Sequence, residues 1–362
     1  MSDDGDLVLT VGGVSWSGWT SISVTRSIVT CPSRFDVALT EVAPDGSQSL
    51  VANPGDPCTI SIGGDVVVTG YVDKDNGGIG PDRHPVRLIG RGKCEDLVDC
   101  SAEFIDQGGK KTGQLGAATA VTIAQALAKP YGIQVSASGD PGPVLPQFNL
   151  MLGETPWEII ERCCRFAQLL CYENEKGELV LGQVGTQTHA SGAQQGLNVQ
   201  AADVARGMDQ RFSEYDAYML PNAAEFSDLG DISNLIGHAE DPNVPRHRLK
   251  YIISEAGVVG SDVGVKRANW ECARRLAQGL EVKVTVDSWR DTSGQLWTPN
   301  QLIRIQLPAL KVADQTLLIG EVTFLRDERD GTRAEITCSP AAAYKPEPIL
   351  FQPTPVDLTG AP

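Results

Sequence analysis

Apolar and polar side chains alternate with a period of two along much of the chain, which is the pattern of half-buried β-strands. Residues 19–29 show it clearly, because Ile22, Val24 and Ile28 are separated by polar residues, and residues 35–39 continue the pattern. The same alternation predicts further strands at 58–62, 66–73, 85–90, 282–289, 302–307, 316–325 and 333–338.

A short helix is predicted at 122–128, and the periodicity becomes helical over two longer stretches. The first of these longer helices starts with Thr155 as N-cap and Pro156 at the first helical position, and Glu158 completes a capping box. Trp157 begins the apolar stripe of this helix. The second helix is predicted at 265–277. Between and around these helices the sequence therefore predicts α/β segments inserted into a β-rich chain.

Two groups of predicted strands correspond to each other. Pro57 and Pro299 each follow a turn and lead into an alternating strand, and Gly70 and Gly320 each interrupt the apolar strand that comes next. A glycine inside a strand marks a bend, a bulge or a close backbone approach. The correspondence predicts a duplicated unit, and chance similarity between two β-meanders is the alternative.

The fold class is therefore mainly β with an α+β insertion, made of two related small antiparallel β-barrels plus α/β middle segments. Residues 222–262 predict loops with one strand at 249–254, and the apolar residues 349–351 are expected either to dock on a neighbour or to stay undocked. The predicted segments are a first β-barrel domain at 1–98, an α/β middle domain at 99–195, a second middle segment at 196–278 containing the helix 265–277, a second β-barrel core at 279–340 and a Pro-rich extended tail at 341–362.

Charge and hydropathy exclude two classes of function. The formal net charge is −16, and the densest basic stretch, at 246–250, is short. A nucleic-acid binder needs a basic surface that displaces counterions from phosphates, so we expect no specific nucleic-acid binding. No apolar stretch approaches the ~18 residues of a membrane helix, and residues 1–6 lack the features of a signal peptide. We expect a soluble protein without membrane insertion.

Catalytic, cofactor and metal motifs are not found in the sequence. The nine cysteines form no pair of CxxC motifs, so we expect them to be reduced and mostly buried. Asp73, Asp75 and Gly77 suggest a calcium loop only faintly, and a hairpin turn is the better interpretation. We predict no catalytic, cofactor-binding or metal-binding residue. The four histidines lack metal-ligand spacing and are expected at the surface or in loops: His84, His189, His238 and His247.

Two tryptophans, Trp289 and Trp297, flank a predicted turn. Exposed rings in such an arrangement can stack on a sugar, but paired tryptophans more often anchor a core or an interface. A charge-assisted bond between Asp287 and Arg290 is expected to pin the same hairpin.

The segment from Val286 to Asn300 resembles the Mu-type tail protein P family of contractile-tailed phages. Residues 153–160 and 177–181 resemble the same family and its late-control protein D relatives, and the likeness extends over most of residues 5–340. The helix-plus-hairpin segment also recurs in the valine-glycine-repeat spikes of type VI secretion.

The resemblance implies a non-catalytic baseplate hub in the virion tail, made in the host cytoplasm. It implies a homotrimer whose six barrels join the hexameric tail tube to the trimeric central spike, with other baseplate proteins and separate spike and muralytic partners. A carbohydrate-binding or muralytic tail module and a type VI secretion-like spike hub are the alternatives. The candidate structural or interface residues are Asp287, Trp289, Arg290, Trp297, Pro299, Gly70, Gly320 and Trp157.

Overall fold

The computed structural model describes residues 5–41, 52–78, 84–105, 109–219, 235–254 and 263–346. Strands dominate the first 92 residues, where short turns connect them. These strands are β1 (Leu7–Val11), β2 (Val14–Trp16), β3 (Ser21–Ser27), β4 (Arg34–Glu41), β5 (Pro57–Ile62), β6 (Asp65–Gly77) and β7 (His84–Gly92).

The next segment mixes helices with short strands, as the change of periodicity predicts. Its elements are α1 (Glu95–Asp99), β8 (Phe104–Ile105), β9 (Lys111–Thr112), β10 (Gln114–Ala118), α2 (Ala120–Ala128), β11 (Val135–Ala137), β12 (Leu145–Asn149), α3 (Pro156–Ala167), β13 (Leu170–Glu173) and β14 (Leu179–Gly182).

The remaining elements include one long helix. They are β15 (Ala193–Gln194), β16 (Val199–Arg206), β17 (Glu214–Met219), β18 (Leu235–Glu240), β19 (Leu249–Ser254), α4 (Val263–Gln278), β20 (Leu280–Val286), β21 (Leu302–Leu307), β22 (Val312–Asp327) and β23 (Gly331–Ser339).

The duplication predicted from the sequence is present in the strand order. One five-stranded unit runs β3–β4–β7–β6–β5, and a second runs β16–β20–β23–β22–β21, with every neighbouring pair antiparallel in both. We call them the first unit and the second unit. The fold class, mainly β with an α+β insertion, is confirmed.

The two units are fused through β3, the edge strand of the first unit, and the C-terminal part of β22, which lies beyond its pairing with β21. Strand β3 pairs antiparallel with β22, from Glu321 opposite Ser27 to Asp327 opposite Ser21, so that both units belong to one 13-stranded sheet. The hydroxyls of Thr25 and Thr323 lie 3.0 Å apart across this seam. One hydrophobic core runs through both units, because their inward-facing side chains belong to a single buried cluster.

The repeated glycines are both sites of close packing, for different reasons. A Cβ on Gly70 would overlap the backbone of Arg91 on the neighbouring strand. A Cβ on Gly320 would overlap the ring of Tyr344, and Gly320 lies at a bulge where the pairing of β22 with β23 shifts by one residue. The shared mid-strand glycine therefore reflects crowding in each unit.

The α/β module, residues 94–183, has a core of its own beneath α2 and α3. The predicted capping box is confirmed: Thr155 Oγ1 accepts from the Glu158 backbone N–H at 3.2 Å, and Glu158 Oε2 accepts from the Thr155 N–H at 2.9 Å. Helix α3 ends at Gln168, which has a positive φ of 56°. The chain then enters β13 and its hairpin with β14.

A third small module consists of β18–β17–β19 covered on one face by α4. Its core includes Tyr215, Ile252 and Ala268. Strand β19 lies where a strand is predicted, but the loop prediction for 222–262 is wrong at β18. Of the β18 residues whose burial is described, Gly237 and Ala239 are the buried ones, and their small side chains give too weak an apolar alternation to identify a strand. Residues 222–234 and 255–262 of that prediction lie outside the described residues. None of the helices in the described ranges combines the length and the hydropathy that a membrane span requires.

Candidate assembly site

The Trp-rich segment, residues 286–300, lies inside the second unit. Trp289 is 0% exposed, and its indole N–H donates to the carbonyls of Leu325 and Arg333 at 3.1 and 3.0 Å. Trp297 is 1% exposed and donates to the Ser288 carbonyl at 2.9 Å. Because neither ring reaches the surface, neither can stack on a sugar, and both contribute packing area to the core.

Arg290 connects the Trp-rich segment to the first unit. Its guanidinium lies 2.7 Å from the Asp65 carboxylate, and it donates to the carbonyl of Ile62 at 2.8 Å and to that of Gly294 at 2.7 Å. The contacts with Ile62 and Asp65 run to the turn between β5 and β6, and the contact with Gly294 stays within the Trp-rich segment. The bond between Asp287 and Arg290 stays a prediction. The side chain is only 9% exposed, so its charge-assisted bonds hold the two units together at this end.

His189 lies in the loop between β14 and β15, which is one of the two positions expected for it, and it is buried there. Its Nδ1 lies 3.0 Å from Asp291 Oδ2, and its Nε2 accepts from the Thr298 backbone N–H at 3.2 Å. This pattern requires a neutral ring with the proton on Nδ1. Burial lowers the pKa of His189, although the bond to Asp291 opposes that effect.

The pairing of a buried histidine with a carboxylate resembles part of a catalytic triad, but in the described part of the chain no hydroxyl or thiol is bonded to Nε2. The Nε2 atom that would accept a serine proton is occupied by the Thr298 N–H. Burial by itself would raise the pKa of Asp291, but hydrogen bonds from Ser293, His189 and the backbone lower it. His189 and Asp291 therefore pack behind Trp297, whose ring centroid lies 4.9 Å from that of the imidazole.

The end of the Trp-rich segment contacts the α/β module. Pro299 is buried, and Asn300 adopts a left-handed conformation with a φ of 64°. Asn300 Oδ1 accepts from the Gly185 N–H at 2.8 Å, and its amide donates to the Gln183 carbonyl at 3.2 Å. The segment therefore touches the first unit at Arg290 and the connection out of the α/β module at Asn300.

A second junction, which the sequence does not predict, is centred on Glu173. This carboxylate is 4% exposed, and its two oxygens each accept a backbone N–H at 2.8 Å, from Ser33 and from Cys94. Burial raises the pKa of Glu173, with those bonds opposing the effect. Gly92 passes so close to the carboxylate that a Cβ would overlap it. The bond from Ser33 and the close approach of Gly92 join the α/β module to the first unit, whereas Cys94 lies at the start of the module itself.

The other candidate residues lie apart from the Trp-rich segment. Trp157 is half-buried on α3, and together with Gly320 it lines a cleft between the α/β module and the second unit. Gly70 lies within the first unit. The structure thus brings Asp287, Trp289, Arg290, Trp297 and Pro299 together in one segment, and it brings Trp157 and Gly320 together in another place.

Metal chemistry has no candidate centre in the described ranges, where no three His, Cys, Asp or Glu side chains are grouped to hold an ion. All nine cysteines are free, and five of them are buried. Asp73, part of the suggested calcium loop, lies in β6 and pairs with Arg91 at 2.7 Å. The contacts of Arg290, Asn300 and Glu173 instead join the modules of the chain to one another.

Comparison with known proteins agrees with this architecture. Residues 6–92 match the family described as Mu phage baseplate assembly protein GpP-like, N-terminal, and residues 261–347 match its fourth domain. Residues 94–183 match the second domain of the gp44-like baseplate hub protein. The baseplate hub protein gp44 of Escherichia phage Mu is 31% identical over 346 residues, which cover 93% of this chain and 88% of that protein. The chain belongs to the Mu-type baseplate hub family.

Solved structures give the same result for the fold of this hub. The 43 kDa tail protein of prophage MuSo2 from Shewanella oneidensis superposes with a TM-score of 0.78 at 28% identity, covering 96% of this chain and all of that one. The tail protein from Neisseria meningitidis MC58 gives 0.73 at 20% identity, with 95% and 99% covered. A type VI secretion component, the E. coli c3393 protein, shares the fold at 0.56 and 12% identity, covering 96% and 79%.

The resemblance to the tail protein P family is therefore confirmed, and the protein is a structural component of the virion tail baseplate.

Proposed function

We propose that three copies of this hub close into a ring in which the first and second units alternate. The observation that carries the proposal is the shared strand order of the two units within one sheet. Cyclic closure is the common arrangement of homo-oligomers. Three-fold closure of a chain with two similar units yields six similar positions, which explains why one chain retains both.

Such a ring joins the hexameric tail tube on one face to the trimeric central spike on the other, and other baseplate proteins bind its outer side. The formal net charge of −16 suits a passage for the genome, because negative charge repels phosphates and limits adhesion. The hub in this proposal is not an enzyme. The engaged Nε2 of His189 and the burial of Trp289 and Trp297 support a structural role.

Native mass spectrometry of the purified protein tests the ring. The expected mass is three times the 38.6 kDa of one chain. A monomer that persists at high protein concentration would overturn the homotrimer.

A peptidoglycan assay separates the hub from a muralytic module. The hub is expected neither to bind purified cell walls nor to release fragments from them, because its tryptophan pair is buried. Release of reducing sugar ends by the purified protein would overturn the assignment of a structural role.

A further inference from the structure

An apolar cleft of about 610 Å³ lies where α3, the end of β3, β22 and the 3₁₀ turn at 341–344 meet. Its size is in the range of sites that enclose a small ligand or a few side chains. Val29 on its wall is 65% exposed, and Trp157 is half-buried. The apolar wall includes Ile28, Val29, Trp157, Leu169, Leu170 and Tyr344.

The described part of the chain ends at this cleft. The indole N–H of Trp270 donates to the Lys345 carbonyl at 2.9 Å, which fixes the backbone just before the end. Pro346, the next residue, lines the cleft. Sixteen further residues follow in the sequence, at 347–362.

The next large apolar residues in the sequence are close enough to reach the cleft. Ile349, Leu350 and Phe351 begin three positions after Pro346, a span of at most about 11 Å for an extended chain. Pro346 and Pro348 restrict the backbone and favour an extended conformation, so the entropy lost on docking is small. Charged groups of both signs on the cleft wall, such as Arg274 and Glu281, can pair with the peptide groups of an extended segment.

We propose that the apolar triplet Ile349–Phe351 of the same chain docks in this cleft and covers Val29 and Trp157. A tethered segment competes at a high effective concentration against any separate partner, which favours the chain's own tail as the occupant. The proposal does not depend on the trimeric ring, since each copy carries both cleft and tail.

Thiol alkylation measures the docking directly. Cys171 is half-buried and lines the cleft, whereas Cys272 is half-buried on α4 and does not line it. The full-length protein is compared with the triple variant I349S, L350S and F351S, and with a chain that ends at Gln352 as matched control. Peptide mass spectrometry after timed exposure to iodoacetamide gives a rate for each cysteine.

Cys171 is expected to react about tenfold faster in the triple variant, because the docked state that shields it most of the time is lost. The chain that ends at Gln352 keeps the triplet and should react at the full-length rate. Cys272 is expected to react equally in all three proteins. Equal Cys171 rates in the full-length and triple-variant proteins would overturn the proposal, and so would an equal acceleration of Cys272.

Dilution identifies which chain supplies the tail. Protection of Cys171 that is unchanged over about a hundredfold dilution is expected for docking within one chain. Protection lost on dilution would overturn that assignment, because only docking between copies depends on concentration.

Discussion

Truncation of Glu173 to alanine should separate the α/β module from the first unit more than any other single carboxylate removal in this hairpin. The change removes both acceptors of the Ser33 and Cys94 backbone N–H groups, each held at 2.8 Å in a site that is 4% exposed. A buried donor left without a partner costs about 1–3 kcal/mol, so two should cost about 2–6 kcal/mol. The wild type also bears the free-energy cost of burying the Glu173 carboxylate, which the alanine variant does not. This difference offsets part of the loss, so we expect a destabilisation near the lower end of that range.

Glu178→Ala is the matched control. Glu178 belongs to the same hairpin but accepts from the Asn174 side chain, at 2.8 Å, in a half-buried position. The expected loss for this single bond is about 0.5–1.5 kcal/mol. Glu173→Gln should fall between the two, because it keeps one acceptor oxygen and turns an N–H₂ donor toward the second N–H.

Two measurements check the Glu173 prediction. Urea denaturation gives the free energy of unfolding, and amide hydrogen exchange by mass spectrometry reports opening at Ser33 and Cys94 specifically. Both amides are expected to exchange faster in Glu173→Ala and to stay protected in Glu178→Ala. A loss in Glu173→Ala no larger than in the control, with both amides still protected, would refute this role of Glu173.

Three further outcomes are expected. Arg290→Met should destabilise the protein by about 1–3 kcal/mol in urea denaturation, because it removes a charged donor from two carbonyls. Asp65→Asn, at the exposed partner, should cost less than about 1 kcal/mol, and equal losses would contradict this. Since burial lowers the pKa of His189 below 6.5, the unfolded chain takes up a proton below that pH that the folded chain does not, so stability falls on acidification. Below pH 6.5, the difference in free energy of unfolding between wild type and His189→Gln should decrease by at most about 1.4 kcal/mol per pH unit. A difference that does not change with pH would argue against a buried neutral ring. Hydrogen bonds to Asp216 and Glu240 raise the pKa of His238 above 6.5, so its titration by NMR should shift downward in Asp216→Asn, and no shift would exclude the contact.

Local features of the fold are predictable from the sequence because their causes are local. The strands β5 to β7 and β21 to β23 follow from alternation, and the start of α3 follows from Thr155 and Glu158. The duplication is visible because the two units repeat a proline and a mid-strand glycine at similar positions.

The junctions are not predictable in this way, because their partners are far apart in the chain. His189 and Asp291 are separated by 102 residues, and Thr25 and Thr323 by 298. No periodicity links Glu173 to Ser33 and Cys94, whose backbone N–H groups donate to it. Every residue except proline has such an N–H group, so the sequence does not indicate which ones a carboxylate will bind. The fusion of the units through β3 and β22 likewise leaves no signal in the sequence, because nothing in the alternation of β22 shows that its C-terminal part pairs with β3 and not with β21.

In the proposed assembly, two similar units per chain become six positions in a three-fold ring. Electron microscopy of the purified protein, with two-dimensional averaging of end-on views, shows this arrangement or its absence. We expect a closed ring with three-fold symmetry and six similar β-rich densities around a central passage. Single compact particles, or rings of any other symmetry, would contradict it.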